Sequence, residues 1–514
     1  MKSWLRTTLG GLLAAAALSG AGPAAPVVKV AQGALEGVRQ GGSDAFLGIP
    51  YAAPPVGDLR WKAPRPAAGW SSVRGAGHFG ASCWQSVSAK GFGPWTHEYV
   101  VDGPVSEDCL FLNVWTPARP GARRPVLVWF HGGGFSQGSG SVPIYDGAAL
   151  AAEGVVVVTV NYRLGVLGFF AHPELTREAT GAATGNFGLM DMIAALKWVR
   201  ANAAAFGADP DAITIAGQSA GGMAVHDLVV SPLAKGLFRR AIIESGLPGV
   251  APNPPLAQAE ASGVAFAKAK GVADLAGLRA LSPAQLSEGA RGFFAPMRDG
   301  VLLPADDRGP ASDTPVLVGV NADEGSAMSA SYGTTDPAKL DAMLKDAYGA
   351  HSGDFAGFYA ASTDAGRADA SRRLLRDKSL AALYAWSKGR LAAAHSPVYA
   401  YLWSHAEPGP EADRWRAFHS SEIPYVLKTL EASAERPFTE ADRRLSLQAS
   451  GYWLNFIRTG DPNGQGLPPW PRLTADEPKI MALDVGPHAR PILPPDQLQA
   501  VKAFVAAGGQ PRMF

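Results

Sequence analysis

Cysteine is scarce: only Cys83 and Cys109 occur in 514 residues. Two thiols exclude a disulfide-dense scaffold and a cysteine-based zinc cluster, and no His-Glu-x-x-His sequence offers zinc another home. Neither a metal nor another cofactor is expected. An excess of one charge is also lacking. The 46 Lys and Arg balance 45 Asp and Glu to a net +1, with no basic stripe, so nucleic acid is not an expected partner. Beyond the first 25 residues no apolar run is long enough to span a bilayer. Repeats and low-complexity linkers are missing too, while 47% apolar and 18% charged residues can fill a sizeable core.

What is present begins with the leader MKSWLRTTLGGLLAAAALSGAGPAAP. Lys2 and Arg6 precede an apolar run from Leu9 to Leu18, and small residues follow. This layout predicts a signal peptide over residues 1–25, cleaved near 21 or 25, and export of a mature domain 26–514 to the periplasm or the medium. No cysteine follows the run, so no lipid is attached there. In an exported chain two cysteines predict one disulfide, here closing a loop with Trp84, Phe92, Trp95 and Tyr99.

Short β-rich stretches occupy the first 120 residues: Val27 to Val30, Ala45 to Leu47 and Leu110 to Trp115. Four later runs, Val126 to Phe130, Val155 to Val160, Ile213 to Ala216 and Val316 to Val320, are apolar without alternation. That pattern belongs to strands buried on both faces of a mostly parallel sheet. Between them, Phe187 to Ala205 carries Leu189, Met192, Ile193, Leu196 and Val199 at helical spacing. Strands alternating with helices predict an α/β fold. Ala-rich stretches over about 254–298 and 336–395 read as helical excursions that could roof a pocket.

The pattern Gly-x-Ser-x-Gly occurs twice, at Ser136 and at Ser219, and with 60 glycines a chance match is common. Context separates them. A serine projecting from a sharp turn needs a strand before it and a helix after it, with glycines to relieve crowding. Ser219 has the strand Ala212 to Ala216 ahead and a helical Ala220 to Val230 behind; Ser136 leads into GSGSVPIYDG, which does not start a helix. The plainer reading of Ser219 is a helix N-cap.

A serine nucleophile needs a base, an acid that orients the base, and donors for the oxyanion. The run His131-Gly132-Gly133-Gly134-Phe135 ends a strand and can present bare amides, with Ala220 N–H as a further donor. For the acid, Asp323 and Glu324 are adjacent after a strand and spacing does not choose between them. For the base, His405 and His419 stand equally well on one long loop.

The segments FLGIPYAAPPVGDLRWKAP, SEDCLFLNVWTP, HGGGF, NYRLGVLGFF, GNFGLMDMIAALKWVRANAAAFGADPDAITIAGQSAGG and RTGDPN together resemble the type-B carboxylesterase family. That family includes bacterial p-nitrobenzyl esterases, animal carboxylesterases and cholinesterases. The resemblance runs from about residue 28 to 485. It implies the α/β-hydrolase fold and hydrolysis of small-molecule carboxylic esters through an acyl-enzyme. It implies Ser219, Glu324 and His419 as the triad, and Gly133, Gly134 and Ala220 as oxyanion donors. It also implies a Cys83–Cys109 disulfide and a supporting role for Ser245. Gln218 stands where many members carry glutamate, and the neutral amide makes choline esters less suitable substrates. Two rivals are a non-catalytic binding module on the same fold and another acyl hydrolase, an amidase, thioesterase or lipase.

Overall fold

In a computed structural model, residues 24–513 are described, apart from 89, 118–122, 248–252, 290–293, 306–308 and 434. Most of the expected leader, residues 1–23, lies outside the described residues.

The molecule is organised on an eleven-stranded sheet. Its strands in chain order are β1 (Val38–Gln40), β2 (Ser43–Pro50), β3 (Phe111–Pro117), β4 (Arg124–Phe130), β5 (Val156–Val160) and β6 (Ala208–Gln218). They continue with β7 (Arg240–Glu244), β8 (Val316–Asn321), β9 (Val398–Trp403), β10 (Lys479–Leu483) and β11 (His488–Pro491). Across the sheet the order is β11-β10-β9-β8-β7-β6-β4-β5-β3-β2-β1. Seven strands, from β10 across to β5, are mutually parallel. The edges, β11 on one side and β3 to β1 on the other, are antiparallel.

Both faces of this sheet are covered. In β4, Val126, Val128 and Phe130 enter one core while Leu127 and Trp129 enter the other. That double burial explains why the central strands read as unbroken apolar runs. The expected strands fall where those runs lie. The strand ahead of Ser219 is longer than its apolar stretch: β6 begins at Ala208, and its register with β4 shifts between Ala208 and Ile213, across Pro210. Strands β1, β7, β10 and β11 are additions that the sequence reading did not name.

Three helices matter for the site. Helix α1 (Phe187–Asn202) covers one face, α2 (Ala220–Val230) leaves the end of β6, and α3 (Pro337–Tyr348) belongs to the second helical excursion. That excursion continues as α4 (Asp364–Ala393), and α3 and α4 wall a cavity of about 350 Å³ that reaches Glu324 and Gly325. Cys83 and Cys109 are joined by a disulfide, S–S 2.06 Å, closing the expected loop. No helix among the described residues is long and apolar enough to cross a membrane.

Candidate active site

Parallel strands align their carboxyl ends, and the loops leaving those ends in an open α/β sheet converge on one crevice. Here β4, β6, β7, β8 and β9 deliver the glycine run, Ser219, Ser245, Glu324 and the histidine loop respectively.

Ser219 has φ 57° and ψ −126°, a left-handed conformation that is costly for a side-chain-bearing residue. Its neighbours hold it there. The Ser219 N–H donates to the Glu244 carbonyl at 2.8 Å, and its own carbonyl accepts from Met223 N–H at 2.8 Å. The flanking glycines are demanded by space: a Cβ on Gly221 would lie 2.0 Å from the Phe130 oxygen, and one on Gly217 2.5 Å from the Gly221 carbonyl carbon. The hydroxyl makes no capping bond to α2, so the N-cap reading does not describe it. Ser136, by contrast, is exposed, bonds the Gly133 carbonyl at 3.2 Å and is followed by no helix.

The glycine run lies directly on this turn. A Cβ on Gly132 would stand 2.8 Å from the Gln218 carbonyl oxygen and 3.2 Å from Ser219 Cβ. Gly133 and Gly134 have φ 105° and 62°. Ala220 is the first residue of α2, where an amide has no helical carbonyl behind it and the helix dipole is positive. His131, buried and stacked on Tyr162 at 4.3 Å, is held neutral by burial, its pKa lowered to about 4.

Of the adjacent acids, Glu324 turns inward. Its Oε2 lies 2.5 Å from His419 Nδ1, while Oε1 accepts from Ser245 Oγ at 2.6 Å and from Asn321 N–H at 2.8 Å. Asp323 faces elsewhere, accepting from Tyr332 Oη at 2.5 Å and Ala417 N–H at 3.3 Å. Of the two histidines, His419 is 3% exposed and meets Glu324. His405 instead places Nε2 2.7 Å from Asp442, which also accepts from Tyr425.

Burial opposes a charge on His419. The Glu324 charge and hydrogen bond, with the Glu422 charge behind them, outweigh burial and hold the imidazole pKa above its ordinary value. The far nitrogen, Nε2, lies 3.2 Å from Gln218 Nε2, beside the turn that carries Ser219. The closed loop contributes as well. Trp95 Nε1–H donates to the His419 carbonyl at 3.1 Å, and its ring meets the imidazole edge-on at 6.5 Å.

Several participants escaped the sequence reading. Asn321 ties the site together: its N–H serves Glu324, and its side-chain amide donates to the Phe418 carbonyl at 2.7 Å and to Glu422 Oε2 at 2.6 Å. Glu422 is fully buried, and burial with the Glu324 charge raises its pKa to about 7. Glu244, also fully buried, accepts from Trp453 Nε1 at 2.7 Å, and burial lifts its pKa well above the carboxylate range. Only Glu422 had a signal, in its position three residues beyond His419. No group of three or more His, Cys, Asp or Glu that could hold a metal occurs among the described residues.

A profile of the carboxylesterase family matches residues 24–500. The chain is 38% identical over 469 residues to the fumonisin B1 esterase of Sphingopyxis macrogoltabida, covering 86% of this chain and 83% of that protein. It is 35% identical over 483 residues to the para-nitrobenzyl esterase of Bacillus subtilis (strain 168), covering 89% and 94%. A solved PNB esterase superposes with a TM-score of 0.77 at 32% identity, covering 92% of this chain and 99% of the other. The chain therefore belongs to the carboxylesterase family, as a carboxylic ester hydrolase of the serine type with the α/β-hydrolase fold.

Proposed function

We propose that the protein hydrolyses small uncharged carboxylic esters through an acyl-enzyme carried on Ser219. His419 Nε2 takes the Ser219 proton as Oγ attacks the ester carbonyl. The Gly133, Gly134 and Ala220 amides receive the oxyanion. The imidazolium then protonates the leaving alcohol, and His419 activates water to release the acid. Glu324 keeps the proton of the neutral ring on Nδ1 and stabilises the imidazolium; Ser245 holds the Glu324 carboxylate in place. The observation that carries this reading is the buried Glu324–His419 contact of 2.5 Å beside the strained Ser219 turn.

Gln218 brings no negative charge to the pocket, which favours neutral esters over choline esters. The names of the relatives, a fumonisin esterase and a para-nitrobenzyl esterase, support a small-molecule ester substrate. Leader and disulfide support export to the periplasm or medium, with the single catalytic domain 26–514 as the mature chain.

The test is a panel of esters of graded acyl length beside matched anilides and thioesters. Turnover of acetate to hexanoate esters, with choline esters and anilides much slower, is expected. Preferential anilide or thioester cleavage would replace the reading with one of its rivals. No turnover and no reaction with a fluorophosphonate would leave a binding module.

A further inference from the structure

Two of the nitrogen atoms at the centre of this site belong to groups that meet directly. Gln218 is 2% exposed, and its side-chain Nε2 lies 3.2 Å from Nε2 of His419. The other imidazole nitrogen, Nδ1, faces the Glu324 carboxylate at 2.5 Å, an acceptor, so Nδ1 carries the proton of the neutral ring. Nε2 then presents a lone pair, and the contact is read as amide N–H donating to imidazole nitrogen. Gln218 Oε1 lies beside Gly132 of the glycine run, and the Gln218 backbone pairs with Glu244 on β7.

We infer that Gln218 is a positioning residue of the proposed ester hydrolysis, acting through His419: its amide N–H bonds the same His419 nitrogen that relays the Ser219 proton, and so favours the neutral base and sharpens the imidazolium as an acid toward the leaving alcohol. The inference rests on the triad reading above. In the resting site the N–H stabilises the lone pair. Nε2 has one lone pair, so Ser219 Oγ–H displaces the Gln218 N–H as it gives up its proton; the amide donor then faces an N–H, and the imidazolium is less well held. The proton therefore passes more readily to the departing alkoxide oxygen; the C–O bond breaks, alcohol leaves, and the ring regains its lone pair. Gln218 neither gains nor loses a proton.

The effect opposes the other charged groups around His419. Glu324, from the loop after β8, and Glu422, three residues along the histidine loop, both favour the protonated ring, and Glu244 on β7 interacts with Glu422. Gln218 is the neutral donor set against those carboxylates. The consequence depends on the leaving group. An alkyl alcohol needs protonation to depart and benefits; p-nitrophenolate departs unaided and does not.

Gln218→Glu and Gln218→Met test this, with kcat/KM measured from pH 4 to 10 on p-nitrophenyl butyrate and ethyl butyrate. The isosteric carboxylate replaces a donor by an acceptor and is expected to raise the acid-limb inflection by about one pH unit. The Met variant loses the donor at similar size and should raise it by less. On the alkaline plateau, the ratio of p-nitrophenyl to ethyl ester turnover should rise about threefold or more in Gln218→Glu, as a weaker acid slows only the alkyl substrate. Thermal unfolding of each variant separates these effects from loss of fold. An acid limb at or below that of wild type in the folded variants, with an unchanged ester ratio, overturns the role of Gln218. Wild-type enzyme inactive on both esters, or Ser219→Ala retaining full activity, would instead overturn the triad reading beneath it.

Discussion

Two carboxylates side by side, Asp323 and Glu324, show what one residue of difference decides. The sequence left them level, because both follow the same strand and both are acids. The chain's turn after β8 sends Glu324 to His419 and Asp323 to Tyr332. Glu324→Gln is therefore expected to lower kcat by about 10⁴, as for a triad acid replaced by its amide, while Asp323→Asn costs about tenfold or less, since one oxygen remains to accept from Tyr332 or Ala417 N–H and only the other is lost. Steady-state kinetics of the pair checks this, and equal losses would leave the acid unassigned. The pH dependence follows from the same contact. His419 is held protonated above its ordinary range, and only the neutral ring accepts the serine proton. Activity should therefore fall, as pH drops, with an inflection above the ordinary histidine value of about 6.5. A profile flat to pH 4 would contradict a histidine base. The acid and base were chosen by resemblance; Asn321 was not, since nothing in a strand-terminal asparagine reveals that its amide will bridge two loops.

At the scale of elements, the legible parts were those with local causes. The strands β4, β5, β6 and β8 announce themselves because burial on both faces demands unbroken apolar runs, and α2 begins where the sequence placed it. The short strand β7 did not stand out from Arg240 to Glu244, and β10 and β11 are recognisable only from their neighbours. Gly221, the second residue of α2, is a sharp test of close packing. Gly221→Ala puts a methyl 2.0 Å from the Phe130 oxygen, a backbone atom that cannot swing aside. A loss of about 3 kcal/mol or more in denaturant unfolding is expected, and a neutral result would mean that the turn is looser than described. The disulfide-closed loop is anchored to the histidine loop by buried charge. Arg436 bonds Glu98 at 2.6 Å and the Pro94 carbonyl at 2.8 Å, and approaches Glu407 at 3.4 Å. Arg436→Met leaves two buried acids without their cation, and about 3–5 kcal/mol of stability should be lost. The loss should be larger at pH 9 than at pH 6. Burial and the remaining charges raise the Glu407 pKa to about 8 even beside Arg436, so below that pH the acid can protonate and escape the penalty.

Over the whole molecule, the family segments are scattered from residue 28 to 485, yet the carboxyl ends of five parallel strands bring the glycine run, Ser219, Ser245, Glu324 and the histidine loop to one crevice. Sequence reading chose Glu324 and His419 by family resemblance, since spacing left each level with a rival. It did not reach the buried acids Glu244 and Glu422, whose setting comes from β7, Trp453 and the histidine loop closing together. The central claim is that Ser219, and no other hydroxyl, becomes acylated. The most direct measurement is labelling of the purified protein with a fluorophosphonate, followed by peptide mass mapping and residual esterase activity. A single adduct on the peptide containing Ser219, rising in step with loss of activity and missing from Ser219→Ala, is the expected result. An adduct on Ser136, or full inactivation with Ser219 unmodified, would contradict it.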